Sequence, residues 1–394
     1  MCSEGRLTTP LLIISDAPTS HTGLGRICRE LATKIHEDLS DVFEVATFTF
    51  GGTTSRHLPF LQYPMTQSHN YVPPELPKVW KDFAGEKKGV VLTIWNPSWL
   101  RWLVDPDSLP DSQLKNFLKA GYFKTWGYFP IDGHGPDGML PKSIVDVIDS
   151  FDRKLAYTKW AAKIIGDSIA ETVPALPHGL DTNVFKPYDK MESRKNFFGR
   201  LQIESAGELK PDLFFVGVVA TNTQRKDWYL AFQTCQELLK RGVNVGLWAH
   251  TDAYIKAWDL LTLKDQFGMH GRVTISTAML DDVALARCYS CMDVTLGIGS
   301  GEGWGFPLAE SLACGVPVIH GGYGGGAEFC PFIVPPVAWR GEGVLGIKRP
   351  VYSPQAWADA VMVAAKHFPR VGLPPYISWD NAWPEWKKWL TSSL

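Results

Sequence analysis

Apolar runs alternate with helical stripes along the whole chain. Residues 11–15 form a short apolar run, and 43–50, 89–94, 124–129 and 154–157 are further strand-like runs in the first half. After the first of them, Leu24, Ile27, Cys28, Leu31 and Ile35 fall three and four apart, which makes one face of a helix. Residues 158–171 predict another helix, and residues 51–78, rich in Gly, Pro, Ser and His, predict a long loop of the kind that is often functional. The second half predicts strands at 213–219, 243–248, 272–276, 293–297 and 316–319 with helices between them. Strands built of continuous Val, Ile, Leu and Phe are buried on both faces, as in parallel sheets. The pattern predicts two doubly wound, Rossmann-like α/β domains facing a central cleft, with ligands at the carboxyl ends of the strands.

Expected boundaries follow from punctuation. The turn-rich run Pro177-His-Gly-Leu-Asp-Thr-Asn-Val-Phe-Lys-Pro187 ends a first domain, 1–187. A charged, low-order segment near 188–211 opens a second, 188–375, and residues 376–394 hold a short aromatic helix expected to cross back to the first. A length of 394 residues fits two domains, and 45% hydrophobic with 20% charged residues is an ordinary globular balance.

Charge and cysteine narrow the function classes. The net charge of −2 leaves no strongly basic nucleic-acid surface in the totals. No apolar stretch reaches the roughly 18 residues of a membrane span, and no signal-peptide cleavage pattern opens the chain. A cytoplasmic protein without stable membrane insertion is expected. Seven scattered cysteines do not make a disulfide framework. Cys288 and Cys291 form a C-x-x-C within a helical pattern with no second ligand pair, so a buried helix face is expected there rather than a metal or redox site. Sixteen tryptophans admit either sugar stacking or ordinary core packing.

Four junctions between strand and helix carry candidate chemistry. Gly23-Leu-Gly25 follows the opening strand, and fits either a tight turn or a close approach to a ligand at a helix start. A dehydrogenase reading fails, because residue 28 is Cys where G-x-G-x-x-G needs Gly, and the second strand closes on Thr47-Phe-Thr-Phe50 without an acid. Arg225 and Lys226 lie at or just before a helix start, where the dipole favours anions and Arg can grip a phosphate bidentately. Phe129-Pro-Ile-Asp-Gly-His places Asp132 and His134 after another strand.

The densest junction is Glu302-Gly-Trp-Gly-Phe-Pro-Leu-Ala-Glu310. Its helix is predicted to begin near Pro307, a favoured first-turn residue, leaving the amides of Gly305 and Phe306 toward a phosphate or sugar hydroxyl. The two carboxylates suit sugar hydroxyls as acceptors. They also suit a general acid and nucleophile as in glycoside hydrolysis, or a plain helix-dipole complement with a solvated partner.

Taken together, these motifs resemble the GT-B glycosyltransferases, in particular the retaining family 4. The E-x7-E run, the following Ser311-Leu-Ala-Cys-Gly-Val-Pro-Val, the Arg225-Lys226 pair, the 177–187 run and Ser378-Trp379 match family motifs in order. The resemblance implies a hexosyltransferase-like enzyme that takes a UDP- or GDP-sugar donor. It implies that Arg225 and Lys226 bind the diphosphate, Glu310 the ribose, and Glu302 with Gly303, Trp304, Gly305 and Phe306 the donor sugar. Gly23 and Gly25 would approach the diphosphate, and Asp132 or His134 would contact the donor sugar. The resemblance also implies no metal and no other cofactor. In this division of roles, losing Glu310 weakens nucleotide binding and losing Glu302 largely spares it. The acceptor stays open among glycan, lipid, protein and nucleic acid, and so does the oligomeric state. A nucleic-acid-modifying glucosyltransferase of the same fold, an epimerase, or a non-catalytic nucleotide-sugar-binding protein are the rival readings.

Overall fold

A computed structural model describes residues 8–66, 71–200, 213–343, 346–366 and 371–392. It divides into two compact units, Met1–His178 with Pro384–Leu394, and Gly179–Trp383. The first is built on six strands: β1 (Thr9–Asp16), β2 (Phe43–Phe50), β3 (Leu61–Pro64), β4 (Gly89–Thr93), β5 (Phe123–Phe129) and β6 (Arg153–Ala156). They lie in the order β3-β2-β1-β4-β5-β6, and every neighbouring pair is parallel. The second has β7 (Phe214–Val219), β8 (Val245–His250), β9 (Val273–Ser276), β10 (Val294–Gly297), β11 (Val318–Gly321) and β12 (Phe332–Val334). Its order is β12-β11-β10-β7-β8-β9, again all parallel.

Read from the other edge, the second order is the first. In each sheet the opening strand lies beside the fourth, β1 against β4 and β7 against β10. The winding reverses there, and the loops leaving those two strands diverge to opposite faces, opening a crevice at the carboxyl ends. The chain therefore has two doubly wound α/β units, as its apolar runs predict. Leu12, Ile14, Phe48 and Val91 anchor the first core, and Val216, Val218, Leu247 and Trp357 the second. Each such side chain contributes roughly 1.5–3 kcal/mol by leaving water.

Three expectations need correction. Residues 51–78 are not one long loop: β3 pairs with Ala46–Thr49 and the helix Leu76–Ala84 starts inside the stretch, while 67–70 lie outside the described residues. This strand has only four residues, no apolar run and a terminal Pro64, which an edge strand tolerates. The segment near 188–211 holds the helix Lys190–Arg200, with Lys190 and Arg194 both paired to Asp293; its remainder, 201–211, lies outside the described residues. Beyond the predicted strands, the second unit also has β12 and an antiparallel hairpin, β13 (Ala338–Glu342) with β14 (Ile347–Val351).

The helix Trp379–Thr391 packs its end into the first unit. The Trp386 indole donates to the Pro177 carbonyl at 2.9 Å. The Arg153 guanidinium lies 4.8 Å from the Trp126 ring and 4.1 Å from the Trp389 ring. Trp126 and Trp386 are fully buried, so these tryptophans serve the core.

Candidate functional site

The second unit's switch point is made by two loops, one after β7 and one after β10. Asn222 braces the first: its amide donates to the Ala253 and Trp258 carbonyls at 3.0 and 2.8 Å, and its oxygen accepts from the Trp258 amide at 2.9 Å. Asp227 then caps the helix Trp228–Lys240 by accepting from the Leu230 amide at 3.1 Å. The second loop is stitched to it. Lys226 and Gly299 form an antiparallel bridge, the Ser300 amide and hydroxyl both donate to the Arg225 carbonyl at 2.9 Å, and the Asp227 amide donates to the Ile298 carbonyl at 2.9 Å.

This stitching brings three charges together. The Arg225 guanidinium lies 3.0 Å from one oxygen of Glu302, and the Lys226 ammonium pairs with the other. Arg225 also donates to the Gly301 carbonyl. Glu302 is only 8% exposed. Burial alone would raise its carboxyl, but the charges of Arg225 and Lys226 overcome that and hold it down at about 2, against an ordinary 4.5. Its main chain is held as well, its carbonyl accepting from the Gly325 amide at 2.6 Å. A side chain at Gly299 would collide with the Glu302 carboxylate, so glycine is required at that turn. The cavity left among Val219, Lys226, Tyr289, Gly297, Glu302 and Leu308 is about 20 Å³, room for a water.

The helix expected near Pro307 runs Phe306–Ala313, with Pro307 in its first turn. Gly305 caps it at φ +96°, a conformation that a side chain would strain, and no side chain among the described residues caps it. Such an end presents amide donors and positive potential. The Trp304 side chain is buried on the Phe329 ring at 5.0 Å, while Gly303, Gly305 and Phe306 are half-buried. Glu310 is also buried, and the Tyr289 hydroxyl donates to it at 2.9 Å. The two glutamates thus have different environments: two cations for Glu302, a phenol for Glu310.

Sequence reasoning missed His320, at the end of β11. Its Nδ1 bonds the Gly297 carbonyl at 2.7 Å, so that nitrogen carries the proton and fixes where β10 ends. Burial pushes its pKa below the ordinary 6.5, and Nε2 has no hydrogen-bond partner among the described residues. The only sequence signal was a histidine interrupting a strand of buried residues. In the C-x-x-C, Cys291 is buried and Cys288 half-buried, and burial pushes the Cys288 thiol up to about 12.

At the first unit's switch point the chemistry differs. Gly23 and Gly25 form the first turn of the helix Gly23–Asp38, whose cap Thr22 accepts from the Gly25 amide at 3.0 Å. The Thr22 hydroxyl donates to Asp16 at 2.6 Å, and the Trp95 indole donates to the other Asp16 oxygen at 3.0 Å. A side chain at Gly25 would meet Ser20 and the Ala17 carbonyl. Beside this lie Phe50, Tyr71, Trp95 and Trp99; Tyr71 stacks on Trp99 at 4.3 Å and holds a left-handed φ of +64°. Asp132 and His134 follow β5, both half-buried, and His134 Nδ1 bonds the Gly135 carbonyl at 2.8 Å. The predicted residues therefore fall into two groups: Gly23, Gly25, Asp132 and His134 in the first unit, and the others in the second.

No protein-family model and no curated protein matches the chain. Solved structures do. HepE of Anabaena, solved with UDP and glucose, is similar at a TM-score of 0.67 and 12% identity, over 98% of this chain and all of that one. Sucrose-phosphate synthase from Thermosynechococcus elongatus is similar at 0.67 and 15%, with the same coverage. WaaG, a glycosyltransferase involved in lipopolysaccharide biosynthesis, is similar at 0.60 and 12%, over 98% of this chain and 95% of that one. The chain has the GT-B fold. The GT-B strand order accounts for both switch points, and identities this low establish the architecture alone.

Proposed function

We propose that this chain is a nucleotide-sugar-dependent glycosyltransferase that moves a hexose from a UDP- or GDP-sugar to a hydroxyl acceptor. The observation that carries the reading is the Arg225–Glu302–Lys226 cluster, two partly buried cations on a buried carboxylate, at the switch point of the second sheet. Two cations beside an uncapped helix start are a site for a diphosphate, and Glu302 sits where that anion would compete for them. In this reading the incoming diphosphate takes over Arg225 and Lys226, and the released Glu302 carboxylate accepts from the donor sugar's hydroxyls. Glu310, shielded and bonded by Tyr289, takes the ribose. The UDP complex of HepE supports a uridine nucleotide as the first one to try.

The reaction breaks the bond from the anomeric carbon to the phosphate oxygen and forms one to the acceptor oxygen on the same face. The acceptor proton passes to the leaving phosphate, whose developing charge Arg225 and Lys226 stabilise. The mechanism proposed is therefore retaining and metal-independent. A thermal-shift panel of UDP, GDP, ADP and their sugars tests the donor reading, since a ligand at about 100 times its Kd adds roughly 2.7 kcal/mol. No shift with any nucleotide would sink it. Full turnover in excess EDTA supports metal independence, and loss restored by manganese would overturn that part.

A further inference from the structure

His250 ends β8 and is the direct neighbour of the charged site. In the parallel register of the second sheet Val219 pairs with His250, and His250 pairs with Ser276 at the end of β9. Such partners point to one face and stand about 4.8 Å apart. Val219 and the next residue, Ala220, line the cavity together with Lys226. The Ala220 amide donates to the His250 carbonyl at 3.0 Å. The loops that follow are locked as well. The Asn222 main-chain amide donates to Asp252 at 2.6 Å, and its side chain donates to the Ala253 carbonyl at 3.0 Å. His250 is therefore fixed against the loop that carries Arg225 and Lys226, one strand away from the cavity wall.

One ring nitrogen is already committed. Nδ1 lies 2.7 Å from the Ser276 hydroxyl, and the ring stacks on buried Trp248 at 5.2 Å and 22°. Burial lowers the His250 pKa, and a bond to the Ser276 main chain works against that fall. A main-chain carbonyl only accepts, so Nδ1 carries the proton and Nε2 is left as an acceptor. Nε2 makes no hydrogen bond among the described residues. Unlike Nε2 of His320, it is not sealed away from water.

A nucleotide sugar is a linear molecule. In the donor reading its sugar meets Glu302 on the loop after β10, and its phosphates meet Arg225 and Lys226 on the loop after β7. Its nucleoside then continues past β7 toward β8. The opposite flank is filled, since a side chain at Gly324 would stand 2.8 Å from the Glu302 main chain.

We propose that His250 reads the base of the donor nucleotide, with Nε2 accepting a hydrogen bond from a base N–H such as N3–H of uracil. The inference rests on the donor-site reading above. Ser276 then serves to fix the tautomer and orientation of the ring.

Calorimetric titration of the full chain tests this with UDP, with N3-methyl-UDP, which lacks that N–H, and with pyrophosphate. The variants are His250→Asn, whose amide replaces Nδ1 and drops Nε2, and His250→Gln, whose amide reaches the Nε2 position. Melting curves check that all three proteins are folded. His250→Asn is expected to weaken UDP about tenfold and to leave pyrophosphate unchanged, and His250→Gln to recover part of the loss. N3-methyl-UDP should bind wild type and His250→Asn equally. Wild-type affinity of His250→Asn for UDP overturns the proposal. So does equal weakening of UDP and pyrophosphate, which marks a distortion passed through β8, and so does a loss that N3-methyl-UDP shares in full. Where the wild type prefers GDP, N1-methyl-GDP replaces N3-methyl-UDP with the same outcomes. A wild type that binds no nucleotide refutes the donor reading and this proposal with it, whereas nucleotide binding indifferent to His250 refutes this proposal alone.

Discussion

The two switch points are topologically the same place with opposite chemistry. In the first unit, β1 and β4 converge on Asp16, which is held by a threonine and an indole and flanked by four aromatic rings. In the second, β7 and β10 converge on Glu302, which is held by an arginine and a lysine. Both have an acid at the crevice. One acid is held by neutral donors beside aromatic rings. The other is an anion already seated on its cations, suited to exchange with another anion. The difference teaches that the strand order decides where a ligand sits and the loop residues decide what it is.

Breaking the charged side should have the largest effect. Lys226→Ala is expected to lower turnover by on the order of 10²–10³-fold, the usual cost of removing one group that stabilises a transition-state charge. Steady-state rates with a UDP-sugar check it, and a change under threefold would remove Lys226 from the mechanism. Next comes Glu302→Ala, which leaves two partly buried cations without their carboxylate and should cost about 3 kcal/mol of stability. Saturating UDP should restore much of that loss, because the diphosphate replaces the missing anion. A melting deficit that UDP does not narrow would show that Glu302 does not stand in the diphosphate's place. This coupling also blurs the clean division of roles expected from the sequence, in which Glu302 barely touches nucleotide binding.

The matching change in the first unit is Asp16→Ala. It removes two side-chain hydrogen bonds and should cost about 1–3 kcal/mol, with no recovery by UDP. Recovery equal to that of the Glu302 variant would erase the contrast between the units.

Acid should reach the second unit's site in two stages, each a smaller effect at its onset. The His320 pKa is lowered on folding, so the unfolded chain binds its proton first and stability falls as pH drops below about 6.5. His250 in the same unit is lowered in the same direction by burial and adds to that slope. Glu302 is also lowered, so its contribution is complete above 4.5 and is lost as pH falls from 4.5 toward 2. Melting curves from pH 8 to pH 3 should show His320→Gln flattening the upper stage and Glu302→Gln the lower. Unchanged slopes would mean these groups do not titrate with folding.

The doubly wound architecture was legible because the central strands are buried on both faces and leave unbroken apolar runs. The edges were not. β3 alternates weakly over four residues, and the hairpin contains Arg340, Arg349, two glycines at its turn end and Pro350, none of which reads as strand. Single members of the site were legible too: Arg225, Lys226 and Glu302 stand out beside glycines and a helix start. Their mutual pairing was not, because it spans 76 residues and depends on how two loops are stitched. His320 gave only a faint signal, a histidine inside a run of buried residues, because it matters through a carbonyl on the neighbouring strand.

The helix Trp379–Thr391 has a consequence for synthesis. Ribosomal chains usually complete an amino-terminal domain while the next is still being made. Here Trp386 bonds Pro177 across 209 residues, and Trp389 closes over Arg153. The nascent first unit emerges with Trp126, Tyr128 and Arg153 still waiting for their aromatic partners until the whole second unit has been translated.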